Sequence, residues 1–312
     1  MKQNILTVAM NPSIDKTITI EKLNPFGLNR VLDSRADPGG KGINVAKALK
    51  NFGVNVTVTG LIAGDQGKLL LNALKKDAIS ADFLEISGET RTNLKIFDSS
   101  VKKTTEINET GFFVSEKVLS CFQQKFAAFL ENTGIVVLSG SLPPGVPADF
   151  YSGCISAAKA AGVKTLLDAD GLALKEGIEA IPYAVKPNLH ELEMLQGRKF
   201  NFKEEVAEAA ANLIRTGIEI VIVSMGADGA VVANREETFK VDSWNICVKS
   251  ATGSGDSMVA ALAYSILNRS SLYDIAKITT AAGSITASKE GTQICTRDEV
   301  LQSLEKVTVT SI

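Results

Sequence analysis

The sequence predicts an α/β fold, a largely parallel sheet flanked by helices with a small second sheet attached. Three observations carry this. Short, nearly all-apolar runs stand at 135–140 (IVVLSG), 164–169 (KTLLDA) and 218–224 (IEIVIVS), each preceded by a helical pattern. Strands buried on both faces of a parallel sheet read this way. Residues 54–60 (VNVTVTG) alternate with period 2 directly after a helical stretch in which Val45, Leu49 and Phe52 share one face, and Gly53 is a natural helix terminator between them. Residues 14–36 and 90–108 instead are polar, β-branched and alternating, which predicts exposed antiparallel strands rather than βα units. Two Ala-rich helices, at 256–268 and 272–288, complete the pattern, their small residues permitting close packing.

A chain of 312 residues suits one large α/β domain with an appendage. Hydrophobic residues at 45% and charged residues at 22% supply material for a core. The net charge of −2 and the absence of a polybasic block argue against nucleic-acid binding. A few local cations still suffice to hold an anionic small molecule. The apolar stretch in MKQNILTVAMNPSID is too short for a signal sequence and lacks a small-residue cleavage site. No run approaches the ~18 apolar residues of a membrane span, so a cytoplasmic protein with no membrane partner is expected. Cys121, Cys154, Cys247 and Cys295 are scattered without CxxC spacing and read as reduced thiols. A single histidine, His190, excludes chemistry built on paired histidines.

The sharpest chemical feature is Thr252-Gly253-Ser254-Gly255-Asp256-Ser257, opening the helix MVAALAYSIL. Glycines at a helix start leave backbone N–H groups open to an anion, and the helix dipole favours it. Asp256 beside that anion can accept the proton of an attacking hydroxyl while the amides stabilise a transferred phosphoryl group. The alternative is an Asp that merely caps a helix. A second feature, Asp37-Pro38-Gly39-Gly40-Lys41-Gly42-Ile43-Asn44, also enters a helix. Its glycines let a ligand approach the backbone, Lys41 suits a phosphate, and Asn44 suits hydroxyls. It is not a Walker A loop, having Arg35 where a glycine is needed and Gly42 where Ser or Thr is needed. A dinucleotide fingerprint fails as well, since Met258 stands where its third glycine belongs. That disfavours a nicotinamide oxidoreductase.

Lys186-Pro187-Asn188-Leu189-His190-Glu191 follows a strand, placing Asn188 and Glu191 three apart on one helix face. Such an oxygen pair suits Mg²⁺, or else forms a capping box. Ser224-Met225-Gly226-Ala227-Asp228-Gly229 lies between two apolar runs, either as a plain turn joining strands or as glycine backbone against a nucleotide. Asp15, in Asn11-Pro12-Ser13-Ile14-Asp15, can accept hydrogen bonds from two sugar hydroxyls. Arg91, in Glu89-Thr90-Arg91-Thr92-Asn93, is a candidate phosphate clamp.

In their order NPxxD, GGKGxN, ETRTN, SGSLPPG (139–145), KPNxxE, VSMGADG and GSGDS, these segments resemble the ribokinase-like PfkB carbohydrate kinases over essentially the whole chain. The resemblance implies a single ribokinase-like domain over 1–312, a three-layer α/β/α body with a β lid from about 14–36 and 90–108. It implies Asp256 as the base, with Gly253, Ser254 and Gly255 shaping the anion hole. Asn188 and Glu191 would organise Mg²⁺, partly through water, around the phosphates of ATP, with Lys186 near them. Ser224, Gly226, Ala227, Asp228, Gly229 and Gly255 would bind the nucleotide. Asp15, Gly39, Gly40, Lys41 and Asn44 would hold the sugar, and Lys41 and Arg91 its phosphate. A homodimer through the lid is also implied.

The segment Thr105-Glu106-Ile107-Asn108-Glu109-Thr110-Gly111 resembles the branch acting on fructose 1-phosphate, with Asn108 as the telling residue. The expected reaction is ATP-dependent phosphorylation of its 6-hydroxyl to fructose 1,6-bisphosphate. Tagatose 6-phosphate and fructose 6-phosphate are the alternative acceptors, and a non-catalytic sugar-phosphate sensor is the reading outside the class.

Overall fold

The apolar runs become neighbouring strands of one ten-stranded sheet. The computed structural model describes residues 4–312; the first three, part of the stretch weighed above as a signal sequence, lie outside the described residues. Along the chain the strands are β1 (Ile5–Ala9), β2 (Ser13–Ile20), β3 (Val31–Gly39), β4 (Val56–Ala63), β5 (Ser80–Ile86), β6 (Arg91–Asp98) and β7 (Lys103–Asn108). There follow β8 (Ile135–Ser139), β9 (Lys164–Asp168), β10 (Ala184–Val185), β11 (Ile220–Ser224), β12 (Ala230–Ala233), β13 (Thr238–Asp242) and β14 (Thr308–Ser311). The large sheet runs β14-β13-β12-β11-β10-β9-β8-β1-β4-β5. Pairing is parallel from β5 to β11 and antiparallel from there to β14.

Alternation explains why the parallel strands are apolar throughout. Ile135 and Val137 join one core with the helices Lys41–Asn51, Gly64–Lys76, Ser254–Leu267 and Leu272–Ala287. Val136 and Leu138, facing the other way, join a second core with Glu116–Leu130, Phe150–Ala160, Gly171–Glu179, Leu189–Gln196 and Lys203–Arg215. Each fully buried aliphatic side chain contributes about 1.5–3 kcal/mol of transfer free energy, which makes both faces of the sheet predominantly apolar.

The two interrupting stretches form a separate four-stranded sheet, β3-β2-β6-β7. The antiparallel expectation holds for its outer pairs, β2 with β3 and β6 with β7. It fails at the centre, where β2 and β6 run parallel. The reason lies in the body: β2 follows β1 and β6 follows β5, strands of one parallel array, so both leave its carboxyl edge in the same direction.

In the large sheet β1 sits between β8 and β4. Strand order reverses there, and such a switch point opens a crevice at the carboxyl ends of the strands. All four cysteines are free. Among the described residues no helix is long and apolar enough to cross a membrane.

Candidate functional site

The carboxyl ends of the central strands and the inner face of the small sheet enclose a cleft of about 470 Å³. It brings together Asp15, Gly40, Lys41, Asn44, Arg91, Asn108 and Asp256, which the sequence separates by more than 200 positions.

Asp256 lies in the first turn of the helix Ser254–Leu267, whose N-cap is Gly253 in the left-handed region at φ 80°. No side chain caps this helix. The Asp256 carboxylate, 6% exposed, instead accepts a hydrogen bond of 2.8 Å from Asn44 Nδ2, so the capping alternative is excluded. Of the three amides at this helix start, that of Ser254 donates to the Ala251 carbonyl at 3.3 Å. Those of Gly255 and Asp256 have no partner among the described residues, and they add to the positive end of the helix dipole. Burial, reinforced by the nearby Asp168 carboxylate, pushes Asp256 up to about 6 against the opposing pull of Asn44, Lys41 and Lys186. A carboxylate so tuned is mostly ionised at neutral pH yet more basic than an ordinary one, as a general base requires.

Beside it lies a compact charge cluster. Lys41 Nζ is 3.1 Å from Asp168 Oδ1 and 3.8 Å from Glu191 Oε1, and Lys186 Nζ is 3.5 Å from Asp168 Oδ1. Burial alone would lower the Lys41 ammonium, but Asp168, Glu191 and Asp256 together raise it. Asp168 shows the mirror effect: burial pushes it up, yet Lys186 and Lys41 hold it below the usual carboxylate range. Its Oδ2 is buried and has no hydrogen-bond partner among the described residues, so one oxygen remains available to a ligand.

At the other wall Asp15 is buried and held on both oxygens. Ser13 Oγ at 2.7 Å and Asn93 Nδ2 at 3.1 Å donate to Oδ1, and Lys95 Nζ at 2.9 Å donates to Oδ2. Gly39 belongs to this arrangement, since a Cβ there would lie 2.4 Å from Asp15 Cγ. Arg91 donates through Nε to the Asn11 carbonyl (3.2 Å) and through Nη1 to that of Glu109 (3.0 Å). Lys41 and Arg91, paired in the sequence reading, therefore keep different company, an acidic cluster and backbone carbonyls.

Asn188 and Glu191 do form a capping box. Asn188 Oδ1 accepts from the Glu191 amide and Glu191 Oε2 accepts from the Asn188 amide, each at 2.8 Å. Asn188 also bridges in parallel to Ser224, so the predicted metal and nucleotide segments are neighbours. Residues 224–230 join β11 to β12 as an antiparallel hairpin. Gly229 is required there because a Cβ would meet the Val241 carbonyl oxygen at 2.0 Å. Gly226, Ala227 and Asp228 form its exposed turn.

The motifs missed Asp168 and Lys95. An acidic residue ending an otherwise apolar parallel strand falls at the crevice, and that signal marks Asp168. Period-2 alternation puts Lys95 on one face with Arg91 and Asn93.

The chain matches the pfkB family carbohydrate kinase model over residues 8–299. It is 36% identical over 286 residues to a 1-phosphofructokinase of Xanthomonas campestris pv. campestris, covering 90% of each chain. Phosphofructokinase-2 from Escherichia coli, solved in complex with potassium, superposes with a TM-score of 0.92 at 29% identity, covering 97% of this chain and 98% of that one. A possible 1-phosphofructokinase from Thermotoga maritima superposes with a TM-score of 0.91 at 28% identity, covering 99% of each.

Proposed function

Because the chain belongs to the pfkB family of carbohydrate kinases and is an ATP-dependent sugar kinase, we propose that it phosphorylates the 6-hydroxyl of fructose 1-phosphate, giving fructose 1,6-bisphosphate. The observation that carries the reading is Asp256, a buried carboxylate raised to about 6 beside two unpartnered helix-start amides. Asp256 takes the proton of the attacking hydroxyl. The amides of Gly255 and Asp256, with Lys41, face the charge on the transferring phosphoryl group. Asp15 and Asn44 orient the sugar hydroxyls, and Arg91 meets the phosphate already on the sugar. Lys186, Asn188 and the Ser224–Gly229 hairpin hold the nucleotide.

Fructose 1-phosphate is preferred because Asn108, the residue singled out in the TEIN segment, lines the cleft, and because the curated relative bears that activity in its name. The test is a side-by-side comparison of fructose 1-phosphate, fructose 6-phosphate and tagatose 6-phosphate by coupled ADP release. The highest kcat/KM is expected for fructose 1-phosphate. A clear preference for either 6-phosphate overturns the acceptor, and no ADP release with any of them overturns the kinase reading in favour of a sensor.

The donor set suits Mg²⁺ held mainly by phosphates and water. Asn188 Oδ1 and Glu191 Oε2 are occupied by the capping box, while Glu191 Oε1 and the orphaned Asp168 Oδ2 remain for it or its waters. Bound there, the ion would neutralise charge on the β- and γ-phosphates. The dimer reading rests on the small sheet: β3 and β7 are its edges, and they expose Val31, Leu32 and Ile107. Open apolar edges of this kind invite pairing with a second copy.

A pH dependence follows with a definite sign. The base works only when ionised, so kcat/KM is expected to fall as pH drops through about 6, approaching tenfold per pH unit below it. A pH–rate profile flat down to pH ~5 counts against Asp256 as the base.

A further inference from the structure

The small sheet contributes one cation to the cleft that none of the recognised motifs contains. Lys95, on β6, is 8% exposed, and its ammonium lies 2.9 Å from Asp15 Oδ2. The same nitrogen is 3.5 Å from Thr252 Oγ1. Thr252 lies on the other side of the cleft and directly precedes Gly253, the N-cap of the helix that carries Asp256. Asp15 Oδ1 is already held by Ser13 and Asn93, so among the described residues Lys95 alone links this carboxylate to the far wall. An ammonium has three donors, and these two contacts leave one for a ligand. A buried ammonium is costly unless paired, and within a single sheet an amide side chain would fix Asp15 as well. A charged residue reaching across the cleft is explained by what it joins.

We propose that Lys95 is a positioning residue that couples acceptor binding to phosphoryl transfer, fixing the Asp15 carboxylate for the sugar hydroxyls while holding Thr252 at the entrance of the anion-binding loop. This rests on the reading of Asp15 as part of the acceptor site. Occupancy of Asp15 is transmitted through one nitrogen to the loop whose amides face the transferred group. The acceptor thereby helps to assemble the transfer site rather than merely filling it.

The test is a double-mutant cycle read in steady-state kinetics, with thermal melting as the folding control. Lys95→Met is expected to raise the acceptor KM about 10–100-fold and lower kcat about tenfold, with the ATP KM within about threefold of wild type. Lys95→Arg keeps the charge and is expected to recover most of the acceptor KM. Thr252→Val is expected to lower kcat several-fold in the wild-type background and to have no further effect beside Lys95→Met. Additive effects of the two substitutions overturn the coupling, as does an equal rise in both KM values. If Lys95→Met does not fold, the cycle of Lys95→Gln, which can still donate to Asp15 but is too short to reach Thr252, with Thr252→Val decides by the same additivity criterion. Wild-type turnover separates the two levels of inference. A wild type that turns over normally with additive variants overturns only the coupling, whereas a wild type with no turnover on any phosphosugar removes the kinase reading and the coupling with it.

Discussion

Replacing Asp256 by Asn is expected to lower kcat on the order of 10²–10⁴-fold while both KM values stay within a few-fold. The amide is isosteric and can still accept the hydrogen bond from Asn44, so the cleft keeps its shape and loses only its base. The same substitution is expected to stabilise the fold at neutral pH. Asp256 rises on folding to about 6, mainly through burial, so the folded chain holds that proton more tightly than the unfolded one. The penalty for keeping the carboxylate charged is fully present above about pH 6 and vanishes below the ordinary carboxylate value. Removing the charge at pH 7 should therefore add on the order of 1–3 kcal/mol. Thermal melting at pH 7 and pH 4.5 checks both sides: the gain should be present at the first and smaller at the second. Near-normal turnover in this variant would exclude Asp256 as the base.

Asp168→Asn is expected to have the largest effect on stability. It leaves Lys41 and Lys186, both drawn to the same oxygen, without their central counter-charge in a site where Asp168 is 1% exposed. Breaking a buried pair in this way costs on the order of 3 kcal/mol. Because the two lysines hold Asp168 below its ordinary range, its stabilisation is present at neutral pH and is lost only in strong acid. Denaturant unfolding at pH 7 should show the full loss. The variant should also move the acid limb of kcat/KM to lower pH, because the Asp168 charge is one cause of the elevation of Asp256. A limb that stays in place, or an unchanged unfolding midpoint, would show that the cluster does not act as one electrostatic unit.

How far the sequence reached depends on the distance over which each feature is decided. The body strands were legible because burial on both faces writes itself into every residue of a run such as IVVLS. The parallel pairing of β2 with β6 was not, because direction there is set by which edge of the body the strands leave. Asp256 was legible as a residue, and the ordered motifs pointed to it as the base, but what holds its carboxylate was not, because that partner, Asn44, lies 212 positions away. The reverse holds for Asn188 and Glu191, whose local spacing spelled out the capping box that they form. Asp168 carries no motif, since its meaning comes from lysines supplied by two other segments.

The position of β1 has a consequence for biosynthesis. Ile5 pairs on one side with Val56 and on the other with Ile135, so during synthesis β1 stays open along one edge until the chain has reached β8. Both faces of that strand are apolar, and an unpaired apolar edge is a template for association with other chains. Nascent chains stalled between β5 and β8 should be the most aggregation-prone species in the life of this protein, and shortening the time spent there should raise the yield of folded enzyme.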